Sequence, residues 1–160
     1  QNIVLNAPDA QINGDLDAAL VYASQHLSGD PHRAGAVGFC WGGRAVWEYV
    51  YHNPTLKAGL AYYGRLDGMK ADIRPLDPID IGTRIKVPVL GLYAENDTGI
   101  SLEAVARMQT ALKASHSGSE IVVFPGVGHA FNADYRPSYN REAAEKAWTM
   151  GLAWFKQHGL

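Results

Sequence analysis

Apolar positions along the chain fall into two alternating kinds of block. Short, nearly unbroken runs occupy 33–39, 57–63, 87–94 and 120–124, and each predicts a strand. The first, with Ala36, Val37 and Phe39, is apolar on both faces, as in a buried parallel sheet. Between the runs, apolar residues recur at helical spacing. Leu16, Ala19, Leu20 and Ala23 share one face of a helix over 12–26, which Asn13 or Asp15 can cap. A second helix runs over 43–52, and Asn53-Pro54 stops it. A third spans 101–113 with Ser101 as its cap. The fourth spans 141–158, with Ala144, Ala147, Trp148, Leu152 and Phe155 on its packed stripe. Strands alternating with helices predict an α/β fold built on a parallel sheet of about four strands and four helices.

The segment 64–86 breaks the alternation. Its acids Asp67, Asp72, Asp77 and Asp80 lack the spacing of a calcium loop, so it reads as a solvated loop near the strand ends. With 160 residues, 47% apolar and 19% charged, the chain has room for one domain with a real core. We expect a single domain over 1–160, incomplete on its N-terminal side because the chain opens mid-pattern. A net charge of −2 gives no attraction to nucleic acid or an anionic membrane. No apolar run approaches the ~20 residues of a membrane span. One cysteine forms no internal disulfide and fits a reducing compartment, so a cytoplasmic location is expected.

That cysteine carries the candidate chemistry. Gly38-Phe39-Cys40-Trp41-Gly42 ends a predicted strand and opens a predicted helix, the nucleophile-elbow pattern G-x-S-x-G with sulfur for oxygen. The two flanking glycines are expected where a sharp turn crowds the backbone. The helix N-terminus favours thiolate, the reactive form. A lone cysteine is more commonly a small buried apolar residue, and the other two groups decide between the readings. A thiolate nucleophile needs a His base and a carboxylate to orient it, both at carboxyl ends of strands. His129 follows the strand at 120–124 through a glycine-containing loop. Asp97 follows the strand at 87–94, with Glu95 as a rival. His26, His52 and His158 close helices, and His32 and His116 sit in turns. None has metal-ligand spacing, so no zinc, other metal or cofactor is expected.

These motifs resemble the dienelactone hydrolase family of α/β-hydrolases. The residues that carry the resemblance are Gly38-Phe39-Cys40-Trp41-Gly42-Gly43, Tyr62-Tyr63-Gly64, Val87-Pro88-Val89-Leu90 leading to Glu95-Asn96-Asp97, and Gly128-His129-Ala130-Phe131. The resemblance implies an α/β-hydrolase-type sheet without the family's N-terminal strands. It implies hydrolysis of an ester or lactone, with Cys40 as nucleophile, His129 as base and Asp97 as its orienter. The backbone N–H of Trp41 becomes an oxyanion donor. Tyr62 and Tyr63 become pocket residues, while Phe131, beside His129, is read either as a wall of the site or as a core residue. The family prototype holds a substrate carboxylate with an arginine shortly after the histidine, and the next arginine here is Arg136. The four tryptophans (Trp41, Trp47, Trp148 and Trp154) are expected to pack. A small-molecule ester or lactone is the expected partner. The alternative is a non-catalytic fragment or interaction module whose exposed elbow-strand edge pairs with another strand, including that of a second copy.

Overall fold

The computed structural model describes residues 2–160. The four apolar runs pair as one parallel sheet in chain order: β1 (Gly35–Phe39), β2 (Ala58–Tyr62), β3 (Val89–Ala94) and β4 (Glu120–Phe124). The register aligns Phe39 with Tyr62 and Tyr62 with Leu92, so the carboxyl ends of β1, β2 and β3 finish close together. Every residue of β2 and β3 is buried. The described helices are α1 (Asn2–Asn6), α2 (Asp9–His26), α3 (Trp41–His52), α4 (Pro78–Ile81), α5 (Leu102–Ser115) and α6 (Arg141–Gln157).

Alternation along β2 assigns its two faces. A Cβ on Gly59 would touch Val46 and Val50 of α3, so that side meets α3. Leu60 and Tyr62 point the other way, to α6, where the Tyr62 hydroxyl donates to the Ala147 carbonyl at 3.2 Å. The closeness of α6 corrects its expected stripe. A Cβ on Gly151 would lie 2.5 Å from Leu60 Cδ2, so only small residues fit the contact. Ala143, Ala144, Ala147, Gly151 and Trp154 are buried, while Trp148 and Leu152 turn outward and are more than half exposed.

Two more expectations shift. Helix α2 starts a turn earlier than predicted, at a Pro8 N-cap, so neither Asn13 nor Asp15 caps it. None of its residues is fully buried. It is tied to α3 by polar bonds instead: Asp9 to Arg44, and Asp17 to both Tyr49 and His52. In 64–86, Asp77 is buried rather than solvated. Its carboxylate takes the Met69 N–H, and with Asp80 it forms a capping box on α4. Ser101 caps α5 as expected, accepting from the Ala104 N–H.

Strand β1 lies at the sheet edge. No strand pairs with its outer side among the described residues, and Val37 is 51% and Phe39 40% exposed. Its expected burial on both faces is therefore not met.

Candidate active site

Cys40 sits at the N-cap of α3 with φ 55° and ψ −115°, a backbone that side-chain-bearing residues rarely adopt. Its N–H donates to the Tyr62 carbonyl, which extends the sheet ladder one step past β1. The turn demands a glycine at 38, since a Cβ there would lie 2.2 Å from the Gly42 carbonyl oxygen. The second demanding position is Gly43, where a Cβ would lie 2.5 Å from the Tyr62 carbonyl oxygen. A Cβ on Gly42 meets nothing within 4 Å, which corrects the expectation that both motif glycines are crowded.

Asp97 leaves β3 through a tight turn. Its Oδ1 accepts the N–H groups of Gly99 and Ile100 at 2.8 and 3.1 Å. Its Oδ2 lies 2.6 Å from His129 Nδ1. His129 Nε2 in turn lies 3.2 Å from Cys40 Sγ. The three residues singled out from the sequence thus form one hydrogen-bonded chain. Glu95, the rival carboxylate, takes the Gly126 N–H at 2.7 Å and braces the loop that carries His129. The Asn96 N–H adds a bond to the Val127 carbonyl.

Charge settles on this chain in one sense. Bonds from Asp97 and then Cys40 raise the His129 imidazole to about 9. The His129 bond lowers the Cys40 thiol against the opposing cost of burial, and the Trp41 N–H and the charge of Arg136 add to the lowering. Burial pushes the Asp97 carboxyl up, but His129 and the two turn N–H groups outweigh it, and the net shift is downward. Both shifts favour the charged forms, a thiolate and an imidazolium side by side.

The thiol faces a cavity of about 410 Å³, lined also by Trp41, Tyr63, Arg65, Met69 and the 97–100 turn. Tyr63 is in the wall: its ring meets the His129 ring edge-on at 5.1 Å, and its φ is 36°. Tyr62 is not. It is fully buried between β2 and α6 with its ring stacked on Phe39. Phe131 is also fully buried, packed on Tyr63 and Phe124. Arg136 is exposed, lies over the Tyr135 ring and does not line this cavity. Trp47 and Trp154 pack as expected, whereas Trp41 is half-buried at the cavity and Trp148 is exposed.

Two arginines were missed. Arg44 lies beneath the elbow, 1% exposed, and bonds Asp9, Glu48 and the Leu76 carbonyl. Burial holds the Glu48 carboxyl above the usual range against the pull of Arg44. Its i,i+4 spacing to Glu48 was readable, but the burial was not. Arg65 follows the Tyr-Tyr-Gly end of β2, and a charged residue just past a strand's carboxyl end was the available signal.

A family model described as "Dienelactone hydrolase family" matches residues 1–159. The chain belongs to the dienelactone hydrolase family. Within it, the chain is 49% identical over 157 residues to the Escherichia coli K12 protein named "Putative carboxymethylenebutenolidase". That match covers 98% of this chain and 58% of the relative. A Yersinia pestis protein of the same name is 48% identical over 159 residues, covering 99% of this chain and 59% of its own length. The crystal structure described as "Putative Dienelactone Hydrolase" from Klebsiella pneumoniae superposes with a TM-score of 0.90 at 49% identity. It covers 94% of this chain and 62% of that one. The chain therefore spans somewhat under two thirds of these dienelactone hydrolase relatives. It shares their α/β-hydrolase sheet, and no helix among the described residues is long and apolar enough to cross a membrane.

Proposed function

We propose that the protein hydrolyses ester or lactone bonds through a thioester on Cys40. The observation that carries the reading is the continuous contact from Asp97 through His129 to Cys40 Sγ, at 2.6 and 3.2 Å. The Cys40 thiolate attacks the substrate carbonyl carbon, and the π electrons move to oxygen. The Trp41 N–H, at the start of α3, donates to that oxyanion. The oxyanion collapses, the C–O bond to the leaving group breaks, and the His129 imidazolium gives its Nε2 proton to the departing alkoxide. For a lactone the alkoxide stays tethered to the acyl group. The neutral imidazole then takes a proton from water, and the hydroxide attacks the thioester. Collapse expels the thiolate, releases the acid and restores the ion pair. Asp97 holds Nδ1 throughout, which fixes the ring and stabilises its charged form.

The test is p-nitrophenyl acetate hydrolysis, followed with mass analysis of the single cysteine. The expected result is an acetyl adduct on Cys40 that forms and decays. Cys40→Ala abolishes the adduct, and His129→Ala slows its decay by about 10²-fold or more. An undiminished rate in Cys40→Ala rejects the reading.

A second reading is favoured by the outer edge of β1. Beside it runs an apolar groove of about 500 Å³, lined by Ile12, Leu16 and Leu20 of α2 and by Val37 and Leu56. An unpaired edge with an apolar groove recruits another strand. The occupant proposed is a second copy of this chain.

A further inference from the structure

We propose that Met69 sets the length of the acyl group the cleft accepts, that Asp77 positions Met69, and that the substrates are esters of short apolar acids. The inference rests on Cys40 as the acyl acceptor and names the substrate class of that site.

Two buried charged residues that the acyl chemistry does not use point to it. Asp77 is 1% exposed, and the Met69 N–H donates to both its carboxylate oxygens, at 3.0 and 3.3 Å. Arg44, also 1% exposed, donates from Nη2 to the Leu76 carbonyl at 3.1 Å. The loop from Met69 to Asp77 is thus tied to the elbow helix at one end and closed on itself. Within it, Ala71 and Arg74 form an antiparallel bridge, and Arg74 Nε donates to the Met69 carbonyl at 3.4 Å. A carboxylate is costly to bury, and this one caps α4 and orders a largely exposed loop. The backbone held on both its N–H and its carbonyl is that of Met69. Its side chain is half-buried and lines the cavity that the Cys40 thiol faces.

That cavity suits an apolar chain. Trp41, Tyr63, Met69 and Ile100 supply aromatic and hydrocarbon wall. The charges of Arg44 and Asp97 are engaged elsewhere: Arg44 by Asp9, Glu48 and Leu76, and Asp97 by Gly99, Ile100 and His129. Arg65 is exposed, with Nη1 against the Met69 sulfur at 3.5 Å. The volume of about 410 Å³ lies near the small end of the roughly 300–1,000 Å³ typical of small-molecule sites. A long chain would have to leave it or displace a wall. The alcohol departs beside His129, whose Nε2 protonates it. The Met69 wall comes from a separate segment, after β2, and is left to the acyl chain. An unbranched thioether packs well against such a chain.

The experiment measures kcat/KM for p-nitrophenyl acetate, butyrate, hexanoate and octanoate. In the parent protein the value is expected to fall about ten-fold or more from butyrate to octanoate. Met69→Ala raises the octanoate-to-butyrate ratio about ten-fold, because the shortened wall admits further methylenes. Met69→Leu, close to the same volume, holds the ratio within about two-fold of the parent. Asp77→Ala raises it by a smaller factor, and Asp77→Asn, which keeps an acceptor for the Met69 N–H, returns it to the parent value. A merely destabilised variant lowers all four esters alike and leaves the ratio in place. A parent value that does not fall with chain length, or an unchanged ratio in Met69→Ala, overturns the proposal. Modification of Cys40 by methyl and hexyl methanethiosulfonate, each relative to glutathione, makes the same comparison without turnover. The hexyl reagent is expected to be disfavoured about ten-fold in the parent and by less in Met69→Ala. If Cys40 turns over no ester, the proposed function fails, while these modification rates still decide the role of Met69.

Discussion

At the scale of single residues, the Asp97–His129–Cys40 contact is held in a strained frame. Cys40, Tyr63 and Ala130 all have positive φ (55°, 36° and 62°), and all lie on or beside the Cys40–His129 contact. Such backbone costs about 1–3 kcal/mol per residue and persists where the surrounding structure dictates it. The ion pair fixes a pH dependence. The thiol is lowered from its ordinary 9.0 while the imidazole is raised to about 9, so the sulfur ionises at lower pH than a free thiol. Reactivity should be lost as pH falls through the lowered thiol value, when the sulfur gains a proton. Above about 9 the imidazolium loses its proton, but the sulfur stays ionised. Iodoacetamide labelling is therefore expected to climb less steeply from pH 7 to pH 9 in the parent protein than in His129→Ala. In His129→Ala the rate should climb roughly ten-fold per unit over pH 7–8, as for an ordinary thiol. A parent profile that climbs the same way would remove the ion pair from the mechanism. Cys40, Asp97 and His129 were legible because each is a distinctive residue type delivered by a strand end. Tyr62 and Tyr63 were not separable, because two adjacent aromatics give no sign of which one faces the core, and Phe131 beside His129 suits a cavity wall and a core position equally. Strand parity divides Tyr62 from Tyr63 only once α6 is known to cover the Tyr62 side.

At the scale of elements, close approach governs what sequence pattern could and could not reveal. The four strands were legible as compact apolar runs. The stripe of α6 was not legible because hydrophobic pattern favours its large apolar residues, whereas the contact admits only small ones. Helix α6 comes so near β2 that Ala143, Ala147 and Gly151 make the contact, and Trp148 and Leu152 have no room inside. The elbow follows the same rule. The motif marks Gly38 and Gly42, yet Gly38 and Gly43 are the crowded positions. Gly42→Ala should hold stability within about 1 kcal/mol of the parent, since its Cβ enters open space and alanine favours helix. Gly43→Ala should cost about 1–3 kcal/mol or more, because Tyr62 backbone and Gly64 would have to move. Urea denaturation of the two variants reads the difference directly, and equal stabilities would contradict the packing described. Helix α4 was not legible because a one-turn helix carries too few positions for periodicity. Its Asp77–Asp80 capping box was the readable trace, obscured by the neighbouring acids Asp67 and Asp72.

At the scale of the whole molecule, the sheet is asymmetric. Strands β2 and β3 are covered on both faces, whereas β1 leaves its outer edge and two apolar side chains in solvent. The predicted stripe of α2 belongs to the same feature. Leu16 and Leu20 line the groove beside β1 instead of a closed core, which is why the helix reads as amphipathic yet buries none of its residues fully. Polar ties from Asp9 and Asp17 hold α2 in place while that stripe stays open. An edge of unpaired N–H and C=O groups flanked by apolar surface is costly to leave in water. The chain is expected to self-associate there, with β1 edges pairing between copies. Light scattering should then give a mass above the 17.4 kDa of one chain. Val37→Lys, which places a charge on the edge without entering the core, should return the protein to one chain per particle. Trp41 is the one residue that lines both this groove and the cavity at Cys40. Cys40 alkylation should therefore continue in Val37→Lys. A parent protein that remains monomeric at high concentration would show that this edge does not bind a second copy.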